Sequence, residues 1–446
     1  MSFPRYPEHK DSGVAWLGEV PEHWDVAPLK RGYEVVLGKM LQNDASSPED
    51  ELVPYLRAAN IKWDGVDVSD VKQMWVSPRE INQLALSAGD LLISEGGDVG
   101  RSAIWQNELE ACYFQNSVNR ARPRNGNSTR FLYYWISAIK DVGFIDIICN
   151  KSTIAHFTAE KVAAVPVPFP TPDEQQTIAA FLDRETGKID ALVAEQEKLI
   201  ALLKEKRQAV ISHAVTKGLN PAAPMKDSGI EWLGEVPEHW EVVKVRYLVA
   251  RIGSGKTPSG GSETYVDEGV MFLRSQNVYD EGLQLDDVVY ISEDVDESMA
   301  GSRVIQSDIL LNITGASIGR SCVVPKGFPP ANVNQHVCII RLNNIDHVPF
   351  VGWSFKSIFI KKQIDFVQNG AAREGLNFEQ IAGLCIAIPP DLERQIIAAF
   401  LDNETAKFNN LTTEANRAIA LLQERRSALI SAAVTGKIDV RGLALA

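Results

Sequence analysis

Lys10-Asp11-Ser12-Gly13-Val14-Ala15-Trp16-Leu17-Gly18-Glu19-Val20-Pro21-Glu22-His23-Trp24 returns almost letter for letter as Lys226 to Trp240, with Ile230 standing for Val14 and Glu231 for Ala15. A duplicated stretch fixes the architecture that every later motif must fit, and here the period is about half of the 446-residue chain. The copy resumes at Ile178-Ala179-Ala180-Phe181-Leu182-Asp183, repeated as Ile397 to Asp402, and at Glu185-Thr186, repeated as Glu404-Thr405. Between these frames only scattered anchors match: Leu56-Arg57 and Asn60 against Leu273-Arg274 and Asn277, Gly100-Arg101-Ser102 against Gly319-Arg320-Ser321, Arg122 against Arg341, and Asn150 against Asn369. Each half therefore reads as a near-invariant tag, a divergent insert and a near-invariant helical segment. A fixed frame around drifting inserts implies one scaffold carrying two different readers.

With 45% hydrophobic residues, the chain can bury at least two cores. No apolar run approaches the roughly 18 residues that a membrane span needs, and the Met-Ser-Phe-Pro-Arg start has no apolar core, so neither a transmembrane helix nor a signal peptide is expected. The cysteines Cys112, Cys149, Cys322, Cys338 and Cys385 are odd in number and lack CxxC spacing. That pattern points to reduced, buried thiols and a cytoplasmic setting. A formal net charge of −13 argues at face value against nucleic acid, because phosphate contacts need Lys and Arg. Its distribution argues the other way. From Arg101 to Lys161 eight basic residues stand against five acidic ones, and from Arg320 to Arg373 seven against two, so the later part of each insert is expected to be basic.

The inserts carry β-rich runs broken by turn residues: Val66 to Val76, Asp90 to Ser94 ahead of Gly96-Gly97, and Ser117 to Arg122 ending at Pro123. Thr129 to Lys140 and Val348 to Ile360 have apolar residues at helical spacing. Strands and helices without regular alternation predict a mixed α/β (α+β) domain in each half. After Pro166, Pro168, Pro170 and Pro172, the acidic Asp173-Glu174 suits a helix start. Beyond it Ile178, Leu182, Ile189, Leu192, Leu199, Leu203 and Val210, matched by Ile397, Leu401, Phe408, Leu411, Ala418, Leu422 and Leu429, predict two long helices packed as a coiled coil. Lys206 and His213 fall on the expected seam. About 40 helical residues at ~1.5 Å each would span about 60 Å. Gly218 and Gly436 read as C-caps, and Asn220-Pro221-Ala222-Ala223-Pro224 as a stiff linker. The expected layout is a tag at 1–24, a domain at 25–169, a helix at 170–218, linker and second tag at 219–240, a domain at 241–388, a helix at 389–436 and a tail at 437–446.

Catalytic motifs fail on inspection. Gly253-Ser254-Gly255-Lys256-Thr257 looks like a phosphate-binding loop, but that loop needs glycine where Ala250 stands, and Pro258 follows where its helix should begin. Ile388-Pro389-Pro390-Asp391 lacks the polar first and aromatic last residues of an adenine-methylase motif. Asp90 with Glu95 lacks a nuclease lysine, and the second copy has Asp308 with Ile313. No HExxH, GxSxG or metal-spaced His/Cys group appears, and His23 and His239, inside the tag, suit packing better than catalysis. No enzyme activity, cofactor or metal is expected.

On the KDSG…WLGEVPEHW tags, the IAAFLD helices and two unlike inserts, the chain resembles the specificity subunit of type I restriction–modification systems. The resemblance covers nearly the full length, specific in the frame and weak within the inserts. It implies two target recognition domains held apart by two antiparallel helices, and an asymmetric bipartite double-stranded DNA target. It also implies two copies of a methylation subunit as partners, and restriction subunits in the full complex, with the bond-making left to those partners. Arginine suits guanine, and Asn or Gln suits adenine. The base- or phosphate-reading candidates are Arg57, Asn60, Gln115, Asn116, Asn119, Arg120, Lys151, Ser152, Thr153 and His156 in the first insert. In the second they are Lys256, Arg274, Gln276, Asn277, Asn334, Gln335, His336, Arg373 and Asn377. The alternatives are a coiled-coil adaptor with two protein-binding modules, which the acidic balance would suit, and a nuclease acting alone.

Overall fold

Leu91, Leu92 and Ile93 are all buried because the strand they form, Leu91–Ser94, is covered on both faces. Alternate strand residues point to opposite sides. Leu91 and Ile93 join a core with the helix Thr129–Asp141 and the tag, whereas Leu92 joins a second core with Tyr55, Met74, Trp105 and Phe114. The computed structural model describes residues 3–149, 156–368 and 375–443. It divides into two units, Met1–Gln196 with Arg417–Ala446, and Glu197–Asn416.

In the first unit a four-stranded antiparallel sheet has the order Ser102–Ile104, Leu91–Ser94, Val118–Pro123, Tyr33–Leu37. A three-stranded sheet of Tyr113–Phe114, Glu51–Leu56 and Lys72–Val76 packs against it. The second unit repeats the four-stranded sheet as Ser321–Val323, Ile309–Asn312, Val337–Leu342, Val249–Ser254. There Ile309 and Leu311 face one core, with Phe350, and Leu310 faces the other, with Leu273 and Val333. Even the parallel pairing recurs, Tyr113–Phe114 on Glu51–Leu56 and Ala331–Val333 on Val270–Leu273. The mixed α/β architecture is thus present twice.

The helix Thr129–Asp141 starts where Ser128 Oγ accepts the Phe131 N–H at 3.2 Å, and it buries Phe131, Leu132, Trp135, Ile136 and Ile139. Each such side chain contributes about 1.5–3 kcal/mol. Two long helices follow, Pro172–Lys217 and Asp391–Val434. Gly218 and Gly436, both at φ 73°, sit just past them in the left-handed region, as C-caps require. In the first unit Arg426 Nε donates to Asp190 at 2.8 Å, while Ile430 and Val434 pack with Ile178 and Phe181, so these segments run antiparallel.

The seam of the helices differs from the expected one. Leu182, Thr186, Ile189, Val193, Gln196, Ile200 and Leu203 are buried or half-buried, as are their counterparts Leu401, Thr405, Phe408, Thr412, Ala415, Ile419 and Leu422. Leu192 and Leu199 are 50% and 42% exposed, and Lys206 and His213 are exposed as well. The sequence offers two adjacent apolar residues at each of these steps, Leu192-Val193 and Leu199-Ile200, and the β-branched member faces inward.

Each tag closes the ends of the helices. In the first unit Glu174, in the first helical turn, accepts hydrogen bonds from Tyr6 Oη at 2.7 Å and Trp24 Nε1 at 3.2 Å, and pairs with His23 Nε2 at 2.9 Å. A Cβ on Gly436 would stand 2.2 Å from Pro21 and 3.2 Å from Trp24. In the second unit His239 pairs with Glu393 at 2.7 Å, and a Cβ on Gly218 would stand 3.2 Å from Trp240. The packing role expected of His23 and His239 has a definite partner in each case, a first-turn glutamate.

The register makes a direct test. Ile189→Ala is expected to lower unfolding free energy by about 2–5 kcal/mol, and Leu192→Ala by less than about 0.5 kcal/mol. Denaturant melts of the full chain would reverse that ranking if Leu192 lay on the seam.

Candidate nucleic-acid interface

Hydrogen bonds gather five loops of the first unit. Gln115 N–H donates to Leu56 O at 2.9 Å, Asn116 N–H to Lys39 O at 2.9 Å, and Ala58 N–H to Ser117 Oγ at 3.1 Å. Glu95 N–H donates to Ser117 O, and Phe157 N–H to Glu95 O, both at 2.9 Å. Lys39, Arg57, Gln115, Asn116 and His156 are thereby brought together. The second unit does the same through Asn334 N–H to Leu273 O and Ile313 N–H to His336 O, both 3.0 Å, and Leu376 N–H to Ile313 O at 2.9 Å. Lys256, Arg274, Gln276, Asn334, Gln335 and His336 meet there.

Two glycines make this convergence possible. A Cβ on Gly38 would lie 2.2 Å from Gln115 O, and one on Gly255 only 1.6 Å from Val333 O. The glycine of the apparent phosphate-binding loop is there for the close passage of another backbone.

The described candidates fall into two groups. Lys256, Gln276, Gln335 and His156 are exposed, with His156 Nδ1 3.8 Å from Glu95, whose carboxyl burial pushes up. Gln115, Asn116, Asn334 and His336 are half-buried. Asn377 is exposed, yet its Oδ1 caps the helix Phe378–Gly383 by accepting the Gln380 N–H at 2.8 Å. Arg57 and Arg274 each donate to an aspartate thirteen residues on: Arg57 to the Asp70 carboxylate at 2.7 Å, Arg274 to Asp287 O at 2.7 Å.

Asn60, Asn119, Arg120 and Asn277 are buried and are reassigned to the scaffold. Asn60 and Asn277 each accept the N–H of the arginine three residues earlier at 2.9 Å and donate inward, to Asp67 O at 2.8 Å and Gln284 O at 2.9 Å. Asn119 donates to Phe157 O at 2.7 Å. Arg120 donates to Gln83 O and Ala85 O at 3.0 and 3.1 Å, and burial pulls its pKa down. Lys151, Ser152, Thr153 and Arg373 lie outside the described residues.

The basic excess of the first insert is largely neutralised by carboxylates from elsewhere in the same unit, and that of the second in part. Arg122 clamps buried Asp90 with two 2.7 Å hydrogen bonds, which raise the arginine's pKa, and Arg341 holds buried Asp308 likewise at 2.7 and 2.8 Å. Arg130 pairs with Asp183, Lys140 with Asp98 and Lys361 with Asp280, each at 2.6 Å. Charge counted along the sequence therefore overstated the basic surface. Sequence reasoning also passed over Asp70, Asp287 and Lys39; the equal spacing of Arg57 to Asp70 and Arg274 to Asp287 was the available signal.

The model of the type I restriction modification DNA specificity domain matches this chain twice, over residues 21–201 and 237–421. The chain belongs to that family. A type I restriction enzyme specificity subunit, MjaIX of Methanocaldococcus jannaschii, is 22% identical over 445 residues, covering 96% of each chain. Among solved structures, one chain from work on assembly and conformational transition of a type I system matches at TM-score 0.70 and 13% identity, covering 93% of this chain and 98% of its own. The HsdS subunit from Thermoanaerobacter tengcongensis matches at TM-score 0.51 and 16% identity, over 94% and 98%. At such identities the structural matches speak to fold alone. As a type I specificity chain, the protein has one recognition unit per domain match, and its function is DNA recognition within a type I system. Among the described residues no group of three or more His, Cys, Asp or Glu is placed to hold a metal ion, and no helix is long and apolar enough to cross a membrane.

The division between scaffold and reader is measurable. Arg120→Ala, which removes a buried guanidinium from the carbonyls of Gln83 and Ala85, the latter still held by Arg122 at 3.1 Å, is expected to destabilise the chain by about 1–3 kcal/mol while leaving base preference intact. Gln335→Ala should do the reverse. Melting curves and selection from a random duplex library separate the two, and altered preference in Arg120→Ala would return that residue to the interface.

Proposed function

We propose that each unit reads one half of an asymmetric, bipartite duplex, and that the chain delivers methylation subunits, and restriction subunits in the full complex, to that site without making or breaking bonds itself. One observation carries the reading: the same loops converge in both units on the same hydrogen-bonded frame, but with unlike polar tips, Gln115-Asn116-Ser117 in one and Asn334-Gln335-His336 in the other. A like frame with unlike tips suits two readers of different base sequences.

Two copies of one methylation subunit fit the duplication. Each unit presents a tag tryptophan packed against an aromatic ring in a tilted arrangement, Trp16 on Phe144 with centroids 4.4 Å apart and Trp232 on Phe366 with centroids 4.3 Å apart, with Trp16 40% and Phe366 57% exposed. A surface repeated in both halves offers equivalent docking sites to identical partners. The adaptor reading draws support from the acidic balance of the chain, in which Arg122 and Arg341 are already paired with aspartates.

The discriminating measurement is the host methylome with and without this chain. Loss of one split, asymmetric methylated motif is expected on deletion. Binding of the assembled complex to that motif should weaken as salt rises, because each counterion released from the duplex gains less entropy in a more concentrated solution. An unchanged methylome together with salt-independent protein binding would establish the adaptor instead.

A further inference from the structure

The turn Arg57-Ala58-Ala59-Asn60 and the turn Arg274-Ser275-Gln276-Asn277 are the same device. In each, the asparagine side chain accepts the arginine N–H at 2.9 Å, and the arginine reaches an aspartate thirteen residues on. One position differs in chemistry and faces solvent in both units: Ala59 in the first, Gln276 in the second. Gln276 also has something no alanine can have, a hydrogen bond from its Nε2 to Asp287 Oδ2. The same carboxylate takes Asn277 Nδ2 at 3.2 Å and lies 3.7 Å from Arg274, so it is fixed from three sides.

A carboxylate accepts but cannot donate, so the amide must turn its nitrogen toward Asp287. That leaves Oε1 and the second N–H of Nε2 free and pointing away from the aspartate. An acceptor and a donor side by side match the N6 amino group and N7 of adenine in the major groove. Holding the amide in one orientation before binding removes the flipped alternative, which would present two mismatched groups to that base edge, and reduces the rotamer entropy lost on contact. The turn stands within the converged loops, since Asn312 Nδ2 holds Ser275 O at 2.8 Å and Asn334 N–H holds Leu273 O at 3.0 Å.

Resting on the DNA-recognition reading above, we infer that Gln276 reads an adenine in the half-site of the second unit, with Asp287 as its positioning residue, and that Ala59 marks the equivalent, unread position of the first. Asp70 already stands where Asp287 does, so the first unit holds the positioning carboxylate without the amide.

The test is the methylome of the host carrying chromosomal variants. Gln276→Ala should make one position in one half of the motif degenerate, with discrimination there falling roughly 5- to 150-fold and the other half unchanged. Asp287→Ala should relax the same position, and Asp287→Asn, which keeps an acceptor, should restore part of the preference. Ala59→Gln should add an adenine requirement to the opposite half. The inference is overturned if Gln276→Ala leaves the motif unaltered, or abolishes methylation with the chain at normal abundance, and Ala59→Gln adds no requirement. If deletion of the whole chain removes no split motif, the recognition reading itself has failed, and this inference with it.

Discussion

An indole held between two helix ends sets the architecture of each unit. Trp24 gives its N–H to Glu174 at the start of one long helix and lies against Gly436, just past the end of the other. Trp240 lies against Gly218, after the first helix, while its neighbour His239 holds Glu393 at the start of the second. One helix can bring its beginning, and the other its end, to a single ring only if the two run in opposite directions. The glutamates are favoured at first turns by the helix dipole, and the glycines are required by the left-handed backbone and the tight approach of the rings. Tag, helix start and helix end are therefore one interlocked structure, and its residues are the ones repeated almost unchanged.

The inserts stand under a weaker constraint. Their cores need a sheet buried on both faces, which any suitably apolar strand provides, and the run Leu91-Leu92-Ile93 has its match in Ile309-Leu310-Leu311. The loops beyond are tied mainly by backbone hydrogen bonds and by a few buried polar side chains, Asn60, Asn119, Asn277 and Asn312. Backbone bonding is indifferent to the side chains at the tips. The tips can consequently change with little cost to the fold.

The duplication, the mixed α/β inserts, the paired helices and both glycine caps were legible because repeats and apolar periodicity are local properties of the sequence. What was misread depended on distant partners. Leu192 and Val193 satisfy the same heptad, and only the opposing helix selects between them. Arg120 looks like a base reader, yet it lies in the central strand Val118–Pro123, where the carbonyls of Gln83 and Ala85 claim it. The basic excess between Arg101 and Lys161 vanishes once Glu34, Asp90, Asp98 and Asp183, all outside that window, come home to it. Converging loops were partly visible as polar clusters, but Asp70 and Asp287 were hidden because an acidic residue does not suggest contact with DNA.

Those acidic partners also bear on how such a chain could hold a duplex at all. Affinity for phosphate comes from releasing counterions with free Lys and Arg. Here the guanidinium groups of Arg122 and Arg341 are committed to buried aspartates, and each is more strongly protonated for it. Breaking such a pair to free the cation would leave a carboxylate buried without a partner, a cost of about 3–5 kcal/mol, more than a phosphate contact near water returns. These arginines therefore cannot be recruited by DNA. In a chain with a formal charge of −13, any hold on phosphate falls to cations other than these two arginines. On the proposed reading, discrimination rests on short, positioned contacts at the loop tips, and the subunits that assemble around the chain add electrostatic attraction to it.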